Sequence, residues 1–92
     1  MVAAICAHAY DFVANDIYYN VVSSTGKTCE VVFGNKKYTG DIVIPNKVTY
    51  NNETFTVASI GQRAFQHCLH LTSITILNSI TKIDRIAFWN CN

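Results

Sequence analysis

The apolar and polar positions of this chain change rhythm part-way along. Between residues 16 and 57 they alternate in short runs broken by turn residues. The run IYYNVV (residues 17–22) leads into the loop SSTGK, and TCEVVF (residues 28–33) sets Cys29, Val31 and Phe33 against Thr28, Glu30 and Val32. GNKK makes a second turn, and YTGDIVIP stops at Pro45, which lacks the N–H that a continuing inner strand needs. VTY and TFTV flank Asn51-Asn52, the pattern of a hairpin. This half reads as antiparallel β. Both faces of the first run are partly apolar, so the pattern alone assigns no buried side.

Beyond Ala58 the rhythm becomes a repeat. SIGQRAFQHC begins at Ser59 and KIDRIAFWNC at Lys82. Ile60, Ala64, Phe65 and Cys68 recur as Ile83, Ala87, Phe88 and Cys91, each 23 residues on. A fixed period in the twenties predicts a solenoid with one strand-bearing coil per repeat. LTSITIL lies between the copies, with Leu71, Ile74 and Ile76 spaced as a strand. Ala64, Phe65 and Cys68 fall on one face of a one- or two-turn helix. An earlier echo, Ile42-x-Ile44-Pro45-x-x-Val48, matches Ile74-x-Ile76-Leu77-x-x-Ile80, with the YNNETFTV hairpin as an insertion. The expected fold is mainly β with short helical turns, an antiparallel N-terminal segment merging into the start of a solenoid. Its expected parts are residues 10–57 and the coils 58–92.

Composition narrows the function classes. Ninety-two residues make a small domain with a thin core. Only 14% of them are charged, and the net charge is +1 with the basic residues scattered, so there is no electrostatic footprint for nucleic acid. Residues 1–9, MVAAICAHA, carry the small-x-small form of a signal-peptidase site at Ala7-His8-Ala9. Their apolar run is too short for a whole leader, so the expectation is a truncated leader or remnant of an exported parent. No stretch has the length of a membrane-spanning helix.

The repeat also resembles a known family. The pattern L-x-x-I-x-I-P-x-x-V-x-x-I-G-x-x-A-F-x-x-C is that of BspA-like leucine-rich repeats, found in surface proteins of host-associated bacteria and some protozoa. Leu71, Ile74, Ile76, Ile80, Ile83, Ala87, Phe88 and Cys91 fit it, as do Ile42, Ile44, Pro45, Val48, Ile60, Gly61, Ala64, Phe65 and Cys68. Leu77 replaces the usual proline and Asp84 the usual glycine. If that glycine is needed for a positive φ, Asp84 strains the second coil. The resemblance implies a longer, exported protein whose last coil here is uncapped, leaving Phe88-Trp89 as a sticky end for self-association.

Candidate chemistry is sparse. Cys68 and Cys91 read as stacked core thiols in successive coils; a disulfide between them is the alternative that an exporting compartment permits. His67, Cys68 and His70 offer metal-binding atoms without a second cluster. A Cys68 nucleophile with His70 as base lacks an orienting third group. STGKT (residues 24–28) lacks the first glycine of a phosphate loop. Asn52-Glu53-Thr54 has the form of a glycosylation site. No cofactor or metal is expected.

What remains is surface. Thr72, Ser73 and Thr75 are expected on the exposed ladder, and Tyr18, Tyr38 and Tyr50 are candidate aromatic anchors, each equally readable as sheet packing. The resemblance implies a non-enzymatic module, secreted or at the cell surface, that binds a protein or host-surface ligand. A purely structural cap of the array is the alternative, and a cysteine-dependent enzyme a third.

Overall fold

The computed structural model describes residues 10–88. The leader expected at residues 1–9, with Cys6, lies outside that range, as do Trp89 and Cys91. Among these residues eight strands form: β1 (Phe12–Ala14), β2 (Ile17–Ser23), β3 (Thr28–Val32), β4 (Gly40–Val43), β5 (Lys47–Tyr50), β6 (Glu53–Ile60), β7 (Leu71–Thr75) and β8 (Lys82–Ile83).

Local sequence explains most of the turns between them. Asn15-Asp16 and Asn51-Asn52 both adopt positive φ at two successive residues. That is the left-handed pair of a type I′ turn, whose twist matches the strands it joins, and asparagine and aspartate tolerate it best. Ala14 accordingly pairs with Ile17, and Tyr50 with Glu53.

The main sheet runs β1-β2-β3-β6-β5, with β8 also on β6. β1, β2 and β3 pair antiparallel, but β3 joins β6 in parallel. β6 is therefore covered by β3 on one side, and on the other by β5 along its first half and β8 at its end. The sheet curls until its first and fifth strands meet. The Phe12 and Tyr50 rings stack there at 4.3 Å and 6°. Phe12 also stacks on Tyr19, with centroids 5.1 Å apart. Closure at this seam is by rings, and no ladder joins β1 to β5 among the described residues. Tyr19, Val31, Val57, Ile60 and Phe65 fill the interior. β4 and β7 form a separate parallel pair.

Two parts of the expected fold are overturned. The described residues contain no helix; those that follow Gly61 and Asp84 are turns. Arg63 and His67 take φ of 60° and 58°. Left-handed residues cannot continue a right-handed helix, so the Ala64-Phe65 face is built from a turn. The chain is also not an antiparallel segment opening into a solenoid with helical turns. It is a nearly closed, barrel-like sheet with parallel and antiparallel pairs, because the aromatic seam draws β1 back to β5.

Candidate functional site

The two copies of the Ala-Phe motif lie against one another. Ile60 pairs with Ile83, the Phe65 N–H donates to the Ala87 carbonyl at 2.8 Å, and the Phe65 and Phe88 rings stack at 5.2 Å and 7°. Ile60, Ala64, Phe65, Cys68 and Ala87 are buried. Leu71, Ile74 and Ile80 are half-buried against them. Ile76, Ile83 and Phe88, expected in the core, are exposed: Ile83 keeps 45% of its surface. The reason for Ile83 is positional, because among the described residues β8 is an outer strand joined to the sheet through β6 alone.

Gly61 and Asp84 do not differ in the expected way. Neither has a positive φ. Space is tight at Gly61: a Cβ there would sit 3.0 Å from Glu30 Oε1 and 3.2 Å from the Val31 carbonyl oxygen. Asp84 has a use of its own, its Oδ1 accepting the Ile86 N–H at 3.0 Å to start the turn that carries Ala87.

Tyr18 and Tyr38 are not surface anchors, at 8% and 4% exposure. The Tyr38 hydroxyl accepts the Tyr18 N–H at 3.0 Å and donates to the Val32 carbonyl at 2.7 Å. Burial pushes its ionisation far above the usual phenol range. Tyr50 is half-buried in the seam. Cys29 and Cys68 are both buried, and burial pushes the Cys29 thiol up to about 11. A Cys68–Cys91 bridge lies outside the described residues. Among those residues no group of three or more His, Cys, Asp or Glu could hold a metal ion.

The outer ladder is the more distinctive surface. Thr72, Ser73 and Thr75 are exposed on β7, beside β4. The register slips between Gly40 and Asp41, so that Gly40 faces Leu71 and Asp41 faces Ser73. Asp41 Oδ1 then accepts both the Thr72 and Ser73 hydroxyls, each at 2.7 Å. The Thr72 bond first, then that from Ser73, holds the Asp41 carboxyl below its usual range. A second feature is an open cleft of about 370 Å³ with Glu30, Ser59, Gly61, Lys82 and Asp84 in its lining. Sequence reasoning missed Asp41 and Glu30. The one available signal was the scarcity of charge, which makes each carboxylate in a β-rich surface worth testing.

The BspA type leucine-rich repeat region, a model of six copies, matches residues 32–92. The chain belongs to that family. The BspA-type fold seen here is similar to part of a leucine-rich repeat protein from Bacteroides ovatus, with a TM-score of 0.79 and 38% identity over 89% of this chain. It is also similar to part of a leucine-rich cell surface protein from Faecalibacterium prausnitzii, with a TM-score of 0.70 and 26% identity over 87% of this chain. The chain spans 21% of the length of each. No protein of curated function matches it. No helix among the described residues is long and apolar enough to cross a membrane.

Proposed function

We propose that this chain is a non-catalytic binding or adhesion module of an exported or cell-surface repeat protein, with the β4–β7 face as its contact surface. The observation that carries this reading is the Asp41–Thr72–Ser73 network. It orients two exposed hydroxyls and a carboxylate on a paired, and therefore stiff, piece of backbone. Ordered polar groups lose less freedom on binding than mobile ones. Thr75 extends the same exposed strand. The ligand is a protein or host-surface component, and self-association through the Ile83 and Phe88 end is a competing use of apolar surface.

The test is retention of the fluorescently tagged chain on cultured epithelial cells. The double substitution Thr72→Lys with Thr75→Lys should reduce retention to the level of an unrelated β protein while leaving thermal unfolding unchanged. Equal retention of the variant and the parent chain would remove the β4–β7 face from the proposal.

A structural role at the start of the array is a second reading with its own support. β3 covers the side of β6 opposite β8, ending the parallel β6–β8 ladder in that direction. Such a cap keeps apolar coil edges out of water. Removing residues 10–33 separates the two readings: loss of folding favours the cap, and a folded remainder that no longer adheres favours binding.

A further inference from the structure

The cleft between β3, β6 and β8 has a regular construction. Glu30 on β3 pairs with Ser59 on β6, and Ser59 pairs with Lys82 on β8. Residues in lateral register point to the same face of a sheet, so the three side chains share one row. Two residues further along, Gly61 and Asp84 fall on that same face. Gly61 leaves the space that Glu30 uses, since a Cβ there would press on the Glu30 carboxyl. Asp84 is held next to Gly61's strand by its own N–H, which donates to the Ile60 carbonyl at 2.9 Å. A carboxyl from the barrel and a carboxyl from the second coil therefore line one cleft, and Lys82 lines it with them.

This row crosses the joint by which the second coil is attached. The joint consists of the β6–β8 ladder of Ser59 with Lys82 and Ile60 with Ile83, bonds from the Thr81 N–H to the Ala58 carbonyl at 3.0 Å and from the Phe65 N–H to the Ala87 carbonyl at 2.8 Å, the Asp84 bond, and the Phe65–Phe88 stack. We propose that Glu30, Lys82 and Asp84 form an acid-strengthened latch that fastens the second coil to the barrel. With both carboxylates charged, they repel across the joint and Lys82 offsets only part of that repulsion. A proton on Glu30 removes the repulsion, and Lys82 is then left to Asp84 alone.

The surroundings of Glu30 support this direction. Desolvation raises its ionisation above the ordinary carboxylate range, Asp84 raises it further, and Lys82 opposes them. Among the described residues no other titratable group lines the cleft. β2 presents Asn20 opposite it and Val22 in the cleft, and β6 presents Ser59, Gly61 and Gln62. Cys29, its neighbour on β3, is buried and stays protonated. Because the folded-state value is raised, the stabilisation is fully present below the unfolded carboxylate range and is lost as pH rises through the folded value.

Amide hydrogen exchange between pH 7.5 and 4.5, corrected for intrinsic rates, tests the latch. The Thr81, Asp84 and Phe65 amides, which hold the second coil, should gain protection on acidification, because closing the joint raises the proton affinity of Glu30. Thr56, whose N–H donates to the Lys27 carbonyl away from the joint, should not follow them. Glu30→Gln should be protected to the same degree at every pH. Asp84→Asn, which keeps an oxygen for the Ile86 N–H, should move the Glu30 carboxyl titration, followed by NMR, toward the ordinary range. Flat or falling protection in the parent chain overturns the proposal, as does a persistent pH response in Glu30→Gln.

Discussion

The hydroxyl of Tyr38 accepts the backbone N–H of Tyr18, twenty residues away, and donates its own O–H to the Val32 carbonyl. Tyr18 and Val32 are themselves partners in the β2–β3 ladder. One side-chain oxygen is therefore inserted between two strands and ties the β3–β4 connection to both. Tyr38→Phe removes that oxygen and leaves a buried N–H and C=O to find other partners. Loss of such a buried bond costs about 1–3 kcal/mol. For a domain of this size that lowers the melting temperature by roughly 4–8 °C per kcal/mol. Thermal unfolding followed by circular dichroism checks this, and an unchanged midpoint would mean that the bridge adds nothing.

Gly61 and Gly40 should respond differently to alanine. At Gly61 the new Cβ meets Glu30 Oε1 at 3.0 Å and a backbone oxygen at 3.2 Å, so Gly61→Ala overpacks the cleft. The expected cost is about 1–3 kcal/mol. Glu30→Ala in the same chain should recover part of it, because one of the two obstacles goes. Gly40 has φ of +70° and nothing within 4 Å, so Gly40→Ala bears backbone strain alone, about 1–2 kcal/mol. No side-chain deletion should rescue that loss. Urea unfolding of the single and double variants decides between them.

The two buried cysteines should be silent until the fold opens. With the Cys29 thiol pushed up to about 11, roughly one molecule in a thousand carries thiolate at pH 8. Cys68 retains 2% of its surface. A disulfide reagent should modify both only at the rate of unfolding, and mapping by mass spectrometry assigns each site. Rapid modification of Cys68 in the folded chain would reopen the case for a reactive thiol.

Asp41 and Glu30 should oppose one another in their response to pH. The hydroxyls of Thr72 and Ser73 lower the Asp41 titration, so the stability it contributes is present above the unfolded carboxylate range and is lost as pH falls through the folded value. Thr72→Val with Ser73→Ala should return the Asp41 carboxyl to the ordinary range, read by NMR titration. If the midpoint does not move, the hydroxyl bonds do not control this charge. The full exposure of Asp41 keeps its effect on overall stability small.

The positions and types of most strands were open to reading along the chain. Alternation in IYYNVV, TCEVV and LTSIT is a local property, and so is the Asn51-Asn52 turn. The 23-residue echo likewise needed no structure, because it is a spacing of residue types along the chain. β1 and β8 were missed for the same physical reason. Three residues and two residues are too few to show a period, and each exists because a neighbouring strand supplies its hydrogen bonds.

What the sequence by itself determined is therefore the repeat, the family and the list of apolar positions that a core needs. Tertiary structure alone decided how those positions are used. It made Tyr18 and Tyr38 interior rather than exposed, turned the Ala-Phe face into a non-helical turn, and closed the sheet through Phe12 and Tyr50. It also explained Gly61, whose missing side chain makes room for a carboxyl thirty-one residues earlier. A pattern of types along a chain records which residues prefer to leave water. Strand order and register decide which of them touch, and those contacts are set between residues too far apart in sequence for any local pattern to encode.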